Sequence, residues 1–540
     1  MLLPLLILIP LVGAGIGAFV TSRTAKAWAL VVSLLTAAAA IGAAASFDFH
    51  ASGVVQLQYP AATLVESHFG LVDIGFEPRV GVDSISLWLV LLTVLLMPPA
   101  ILASFDSIKE RPREYYAWML VLLAAMNGVF ISRDLLLFYI FFELTLIPMF
   151  FIIGIWGGPQ RRYAAGKFFL FTFGGSVFTL AAVIYLGISA HSFDLTDVTR
   201  YAQQTLTESQ RWWVLLGLLA GLAVKVPLFP VHTWLPLAHT EAPTAGSVIL
   251  AGVLLKLGTY GLLRLVVPIG LVTAGGIAFY DFIYFLGGLC VIGILYGALV
   301  AWVQQDIKKL VAYSSVSHLG FCVLGLAALN AIGMQGSVLY MINHGLSTGA
   351  MFLVIGMIYD RFHTRDINEL SGLARKLPRL AFFFVFFMLS SIGLPGLNGF
   401  VSEFLTVLGA FTSDRLGITF GVFAAIGVIL GALYMLHMTA RVIFGPLKYP
   451  GFSGTDEHGH GAGHEAHEGT SHAPVSDIGA REIGLLLPIA AAVILLGILP
   501  RSVLSTIASP IDMLLHPVPA RSTAQAPVQS EPLVITSARP

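Results

Sequence analysis

The chain has 540 residues, of which 57% are apolar and only 11% are charged, whereas soluble domains carry about 25% charged residues. This composition excludes an ordinary soluble protein. Basic and acidic residues balance at 29 each, and no basic block is present that would bind nucleic acid. The two cysteines, Cys290 and Cys322, lie in apolar runs without metal or haem spacing, so they predict neither a disulfide framework nor a metal site.

Apolar stretches of about 20 residues, each long enough to cross a bilayer, follow one another from Leu2 onwards. Hydropathy predicts an all-α polytopic membrane protein with about 14 spans. The first stretch lacks the basic leader of a cleaved signal sequence, so we interpret it as a retained helix. The predicted spans are 2–20, 27–46, 83–103, 115–131, 134–156, 166–189, 212–231, 245–265, 277–302, 309–329, 334–358, 380–412, 417–444 and 483–500.

Lysine and arginine concentrate in the loops that follow odd-numbered spans, for example at Arg161 and Lys308. The positive-inside rule places these loops in the cytoplasm, and both termini and the loop 47–82 on the opposite face. After this sorting, Lys225 and Lys256 are the only basic residues that we expect deep within spans.

Two of the predicted spans are interrupted. The span 212–231 runs into Pro227, Pro230 and Pro236, and the span 380–412 is broken at the sequence LPGLNG, 394–399. If spans 4–8 and 9–13 form two five-helix units, each break falls in the fourth helix of its unit. Because five is odd, the units would have opposite topology, and paired breaks in inverted repeats indicate a transport site near the midplane. Two unrelated proline kinks are the alternative.

This interpretation divides the chain into five parts. They are the N-terminal helices 1–3 (1–110), the first five-helix unit (111–268), the second five-helix unit (269–446), a His-rich cytoplasmic loop (447–480), and a last helix with a C-terminal tail (481–540).

Four ionisable residues, Glu143, Lys225, Lys256 and Glu403, lie within apolar segments. A charge at the centre of a bilayer costs about 2.5–3.5 kcal/mol on insertion scales, so such residues tend to mark ion or proton pathways. Glu143 and Lys256 lie about 15 Å into their spans at the helical rise, near the midplane. A Glu143–Lys225 pair would stabilise both charges, and separating it would drive Lys225 to release its proton. A static ion pair that only fixes helix positions is the alternative.

Four histidines are candidates for connecting these charges, since imidazole titrates near neutral pH. His318 lies among serines in the sequence SSVSHLG, and His344 lies in NHGLSTG. For both, a proton-relay role and a hydrogen-bonded packing role stay open. His232 and His239 follow the first break and are candidates for cytoplasmic proton uptake.

Three segments carry a family resemblance: SRDLLLFYIFFELTLIP at 132–148, KVPLFPVHTWLPLAHTEAPT at 225–244 and YSSVSH at 313–318. They resemble the antiporter-like subunits of respiratory complex I, and the resemblance covers roughly residues 80–445. Within that family the chain is most similar to the subunit M branch, the counterpart of mitochondrial chain 4. GVDSIS at 81–86, DIGARE at 477–482 and a glutamate at position 403, where related subunits usually carry lysine, fit that branch.

The resemblance implies a 14-helix subunit of a bacterial inner-membrane complex that pumps protons when quinone is reduced at a distance. It implies that Glu143 and Lys225 are the coupled pair, that Lys256 is the central relay and that Glu403 is the gate towards the far side. His318 and His344 are relay candidates. The expected partners are neighbouring membrane-arm subunits and membrane lipid.

No Gly-rich dinucleotide fingerprint and no cluster ligands occur in this sequence. We therefore expect no cofactor in this chain and expect FMN, iron–sulfur clusters and quinone in partner subunits. Two alternatives share the ion-translocating fold: a subunit of an Mrp-type cation/proton antiporter and a membrane subunit of a hydrogenase-type complex.

Two regions depart from the family pattern. The segment 451–477 is rich in Gly, Ser, acidic residues and histidine, and we predict a flexible cytoplasmic insertion, with metal binding as the alternative. The tail 507–540 is rich in Ala, Pro and Ser, and we predict a mobile or partner-docking segment. The histidines of the insertion are His458, His460, His464, His467 and His472.

Overall fold

The computed structural model describes residues 2–59, 65–69, 72–76, 78–271, 277–451 and 475–516. The five histidines of the insertion, and the tail beyond His516, lie outside these residues. The described chain is mainly helical, as apolar segments must be in a bilayer, because a helix satisfies all backbone polar groups within itself. Eleven of its helical segments are long and apolar enough to cross a membrane.

The helices fall into four groups along the chain. The N-terminal group is α1 (Leu2–Gly17), α2 (Ser22–Ala45) and α3 (Ser84–Ala103). The second group is α4 (Pro112–Ile131), α5 (Leu135–Leu144), α6 (Leu146–Trp156), α7 (Arg161–Ala190), α8 (Leu195–Gln204), α9 (Glu208–Lys225), α10 (Trp234–Glu241), α11 (Thr244–Ile249), α12 (Leu255–Gly261) and α13 (Val267–Gly270). The third group is α14 (Ile277–Trp302), α15 (Ile307–Ala327), α16 (Ala331–Phe362), α17 (Leu373–Lys376), α18 (Pro378–Ser391), α19 (Asn398–Phe411) and α20 (Gly417–Val442). The last group is α21 (Ala480–Ile498) and α22 (Arg501–Leu515).

Burial separates a central set of helices from a peripheral set. In the most apolar 18-residue stretch of each helix, 94% of residues are buried in the segment Thr244–Gly270 and in α15, and all of them in α16. By contrast α2, α7, α20 and α21 are only one-third buried, which is the pattern of helices that face lipid on one side. The core of the protein therefore consists of the helices that carry Lys256, His318 and His344.

Both predicted helix interruptions are present. The first runs from the end of α9 at Lys225 to the start of α10 at Trp234, and the second from the end of α18 at Ser391 to the start of α19 at Asn398. Gly393 and Gly396 adopt φ values of 72° and 95° in the second break, a conformation that glycine adopts without the Cβ clash of other residues.

The all-α prediction needs a correction in the segment between α2 and α3. This segment holds four short strands, β1 (Gln56–Tyr59), β2 (Val65–Phe69), β3 (Val72–Phe76) and β4 (Val80–Val82). They form two antiparallel pairs, β1 with β4 and β2 with β3. Open strand edges are excluded only within the hydrocarbon layer, so a loop between spans is free to form them.

The prediction for the tail was wrong for its first residues. α22 extends to Leu515 and buries Val503, Ile507 and Ile511, whose spacing of four residues places them on one helix face. Trp88 Nε1 donates a hydrogen bond to Thr506 Oγ1 at 2.9 Å and so joins α22 to α3. The high content of Ala, Pro and Ser in the tail made this apolar face hard to recognise in the sequence.

Candidate functional site

Lys225 is the last helical residue of α9, and its ammonium group is buried against α5. It donates hydrogen bonds to the carbonyl oxygen of Phe142 and to Thr145 Oγ1, both at 3.0 Å, and it lies 4.1 Å from the centre of the Phe142 ring. α5 ends at Leu144, so the Phe142 carbonyl belongs to the last turn, whose carbonyls lack helical partners. The negative end of a helix dipole also favours a cation there.

Glu143 lies on the same last turn of α5 and interacts electrostatically with Lys225. Among the described ion pairs, however, no Glu143–Lys225 contact falls within 4.0 Å. The ammonium instead binds Phe142, which precedes the glutamate, and Thr145, which follows the end of α5. The coupling of Glu143 with Lys225 stays a prediction, while the direct contacts of the ammonium are with Phe142 and Thr145.

Lys256 is completely buried at the centre of the protein. It lies on α12, which is flanked by two π-helical turns, Leu250–Leu254 and Leu262–Val266. π-helical turns are rare in proteins, and those that occur are often found at functional sites. The Lys256 ammonium donates to the Ala251 carbonyl of the first π-helical turn and lies 2.7 Å from Nδ1 of His344.

A row of buried polar groups continues from Lys256 to Glu403. The rings of His344 and His318 lie 5.6 Å apart, and Nδ1 of His318 lies 2.7 Å from the Tyr340 hydroxyl. That hydroxyl donates to Glu403 Oε1 at 3.0 Å. We call these five residues the central row: Lys256, His344, His318, Tyr340 and Glu403.

Sequence reasoning missed Tyr340. A signal for it exists, because Tyr340, His344 and Ser347 follow one another at intervals of four and three residues, which places them on one face of α16. A polar stripe on an otherwise apolar buried helix is informative even when one of its members is a tyrosine.

Amides and hydroxyls hold α16 against the second break. Asn343 Nδ2 donates to the Asn398 carbonyl at 2.6 Å, and Ser390 Oγ donates to Asn398 Oδ1 at 2.6 Å. Ser347 Oγ lies 2.6 Å from Ser390 Oγ. These contacts satisfy polar groups that the broken helix exposes, as irregular backbone at membrane depth requires.

A cavity of about 20 Å³ lies between α16 and the second break and is lined by His318, His344 and Glu403. A volume of that size holds about one water molecule. His344 Nε2 is buried without a hydrogen-bond partner among the described residues. One water in this cavity would therefore have polar partners on both sides of the gap between the two imidazoles.

His232 and His239 form no hydrogen bond with the central row among the described residues, although His239 interacts electrostatically with Lys256 and His344. His232 is buried in the first break, and His239 is buried on α10, where its ring stacks on Phe352 at 4.5 Å. Among the described residues, none of their four ring nitrogens has a hydrogen-bond partner. Their roles in proton uptake stay predictions.

Two further basic residues are buried, at span ends rather than deep within spans. Lys308, on the first turn of α15, donates to the Ala242 carbonyl at 2.6 Å, at the C-terminal end of α10. Arg264 is buried against Asp83 and forms an ion pair with it. Hydropathy assigned both to span ends, where side chains are expected to reach water, but tertiary packing covers them here.

No group of three or more His, Cys, Asp or Glu side chains comes together as metal ligands within the described ranges. The buried titratable groups of the central row instead follow one another from Lys256 to Glu403.

Residues 132–431 match the family described as NADH:quinone oxidoreductase/Mrp antiporter, TM, and residues 54–132 match NADH-ubiquinone oxidoreductase chain 4, amino terminus. The chain is 40% identical to NADH-quinone oxidoreductase subunit M of Rhodobacter capsulatus, over 92% of this chain and 93% of that one.

Two solved structures share the fold. A chain of respiratory complex I from Thermus thermophilus with bound NADH is 28% identical, with a TM-score of 0.78 over 95% of this chain and 100% of that one. A chain of the Mrp complex from Dietzia is 21% identical, with a TM-score of 0.79 over 96% and 97%. The match of the family across more than half of the sequence, together with a 40% identical relative of nearly the same extent, shows that the chain belongs to the NADH:quinone oxidoreductase/Mrp antiporter family of membrane subunits, in its subunit M and chain 4 branch.

Proposed function

We propose that this chain is a proton-translocating subunit in the membrane arm of an NADH:quinone oxidoreductase, coupling remote quinone reduction to proton movement. The observation that carries the proposal is the central row, in which ionisable side chains follow one another from Lys256 to Glu403 in the buried core. Such residues inside a membrane are expensive and are typical of proton relays. The relatives at 40% identity are subunits of the same oxidoreductase.

We further propose that the chain crosses the membrane 14 times and contains two inverted five-helix units, 111–268 and 269–446. A repeated backbone arrangement supports the units. Asp134 and Asp194 form an isolated antiparallel bridge, and Asp306 and Asp366 form another at the same separation along the chain. Shortly before the second member of each bridge, a histidine in left-handed conformation ends the preceding helix. These are His191 after α7 and His363 after α16, with φ values of 52° and 53°.

The same division supports a sequence of proton transfers. Lys225 begins it at the break of the first unit, next to Glu143, and Lys256 receives the proton between the units. The histidines then pass it to Glu403 at the break of the second unit, towards the far side of the membrane. A change of charge in a neighbouring subunit would act on the Glu143–Lys225 pair and so release the Lys225 proton.

The proposal extends to surroundings and orientation. We place the chain in a bacterial plasma membrane with both termini outside the cytoplasm, because the basic loops then lie inside. The partners are neighbouring antiporter-like subunits and lipid. FMN, iron–sulfur clusters and quinone are assigned to other subunits of the complex.

The test combines composition with function. The purified complex should contain flavin and iron–sulfur subunits, whereas co-purification with cation antiporter subunits, or with a nickel-iron hydrogenase, would replace the proposal by one of its alternatives. In the reconstituted complex, Lys225→Ala should abolish NADH-driven proton pumping while the complex still assembles. Full pumping by that variant would contradict the proposal.

A further inference from the structure

We propose that Tyr340 is a proton-transfer residue, whose phenol group carries the proton between His318 and Glu403. The inference rests on the proposed function and names the group that completes its path. It concerns the last step of the central row, where the two ionisable groups do not themselves form a hydrogen bond.

The distances identify the group that joins His318 to Glu403. Nδ1 of His318 and Oε1 of Glu403 lie 3.7 Å apart, beyond the usual range of 2.7–3.2 Å for an N–H···O hydrogen bond. The Tyr340 hydroxyl lies 2.7 Å from that nitrogen and 3.0 Å from that oxygen. Both of its contacts are therefore hydrogen bonds, and together they join the imidazole to the carboxylate.

The neighbouring hydroxyls do not offer the same link. Ser402 Oγ donates to the Gly399 carbonyl, and Ser390 and Ser347 bond to each other and to Asn398. Tyr434 approaches the other imidazole nitrogen, Nε2 of His318, at 3.5 Å. Within the part of the chain that the structure describes, Tyr340 alone contacts both His318 Nδ1 and Glu403.

Packing holds the phenol in position. Tyr340 is only 3% exposed, and its ring is stacked with that of Phe321 at 6.4 Å. Because the hydroxyl contacts both groups at once, the proton can pass along the two hydrogen bonds without movement of the side chain.

The transfer balances without any further reactant. The Nδ1–H bond of a protonated His318 breaks as its proton joins the phenol oxygen. At the same time the phenol O–H bond breaks and its proton joins Oε1 of Glu403. Imidazolium becomes neutral imidazole, carboxylate becomes carboxylic acid, and Tyr340 is neutral before and after the step.

Five titratable groups surround the phenol and will contribute to any pH profile. They are His318 and Cys322 on α15, His344 on α16, Glu403 on α19 and Tyr434 on α20. A useful variant must change Tyr340 and leave these groups in place.

The experiment compares variants of the whole complex in proteoliposomes. Tyr340→Phe removes the hydroxyl and keeps the ring, and we expect at least about a tenfold loss of NADH-driven proton pumping, within the range of general acid–base effects. The matched control is Tyr115→Phe, which removes another fully buried phenol that forms one hydrogen bond, to Ser104 at 2.9 Å. The control should pump at close to the wild-type rate.

A second variant separates a proton-transfer role of the Tyr340 hydroxyl from a purely structural role. Tyr340→3,5-difluorotyrosine keeps the hydroxyl and makes it more acidic, so it should pump where Tyr340→Phe does not, at a rate altered by the changed acidity of the O–H group that transfers the proton. It also decides the question if Tyr340→Phe does not assemble. An unchanged pumping rate in the fluorinated complex would overturn the proposal.

The outcomes separate this inference from the proposed function. Wild-type pumping by Tyr340→Phe, with pumping lost in Glu403→Gln, would overturn the role of Tyr340 and leave the proposed function intact. Wild-type pumping by both variants would overturn the proposed function itself.

Discussion

The two helix breaks hold their ionisable residues in different surroundings. At the first break, the Lys225 ammonium lies against a backbone carbonyl, one hydroxyl and the face of Phe142. At the second, Glu403 lies beside Tyr340, a small cavity and a network of amides and hydroxyls. The second break is connected to the centre of the protein by polar groups, whereas the first is enclosed by helix ends and an aromatic ring.

Tight packing of the helices between Lys225 and Lys256 explains why the first break lacks a polar connection to the centre of the protein. α12 approaches the end of α9 so closely that a Cβ on Gly258 would lie 2.6 Å from Val226 Cγ2 and 2.9 Å from the Val226 nitrogen. A Cβ on Gly261 would lie 2.4 Å from Leu222 Cδ2. Among the described residues, no hydrogen bond joins the two lysines.

The comparison indicates which half of the pathway would control proton movement. The half from Lys256 to Glu403 is already connected and needs only protons and about one water. The half from Lys225 to Lys256 must change, by helix movement or by entry of water, before a proton can cross. We therefore expect substitutions of proton-carrying residues, Lys225 among them, to remove conduction, and substitutions of the groups that hold Lys225 at the first break to alter its control.

The largest expected effect comes from Lys256, where the two halves meet. Lys256→Met keeps the length and apolar stem of the side chain and removes the ammonium that contacts His344. We expect NADH-driven pumping to fall by about a hundredfold, the scale of a lost proton-transfer group. Proton uptake measured with a pH-sensitive dye in proteoliposomes checks this, with Lys309→Met as the matched control on the surface side of α15. Equal pumping by both variants would contradict the comparison.

A smaller effect is expected at the first break. Thr145→Val preserves the shape of the side chain and removes one of the two hydrogen bonds to the Lys225 ammonium. A hydrogen bond to a charged group contributes about 1.5–3 kcal/mol, so we expect pumping to change by about tenfold or more. The pumping rate should change together with its pH dependence, because the Lys225 ammonium has lost one of its hydrogen-bond acceptors.

Thr172→Val is the control for that variant. Thr172 is also buried, and its hydroxyl donates to the Phe168 and Phe169 carbonyls, both within the same helix. If both threonine variants lower pumping equally, the effect belongs to helix stability and the role assigned to Thr145 is wrong.

The smallest expected effect distinguishes a change next to the Glu403 carboxylate from a change in the backbone of the second break alone. Gly393 has φ of 72°, and a Cβ there would lie 2.3 Å from Glu403 Oε2. Gly396 has φ of 95°, and a Cβ there would have nothing within 4 Å. Gly393→Ala and Gly396→Ala should each lower stability by about 1–2 kcal/mol because of the left-handed backbone. Only Gly393→Ala should also lower pumping, by a few fold, and thermal unfolding beside a pumping assay separates the two.

The sequence supports much of the fold and part of the site. Lys225, Lys256 and Glu403 are visible because a charge in an apolar run stands out, and the two breaks are visible because proline and glycine cannot continue a helix in the usual way. The mainly helical membrane fold follows from hydropathy alone.

Other features depend on contacts that a linear pattern does not contain. Tyr340 is a common residue in apolar helices, and only its neighbours on α15 and α19 give it a role. Lys308 and Arg264 lie near span ends, where sequence cannot show whether a neighbour covers them. The contact of Lys225 with the Phe142 carbonyl depends on where α5 ends, and helix ends are the least predictable part of an element.

The central claim is that protons leave Lys256 through the central row and reach Glu403. Its most direct test is NADH-driven proton pumping by the reconstituted complex carrying Glu403→Gln, a variant that keeps the side-chain shape and cannot ionise. We predict normal subunit composition and loss of pumping. Pumping at the wild-type rate in the assembled Glu403→Gln complex would contradict the claim.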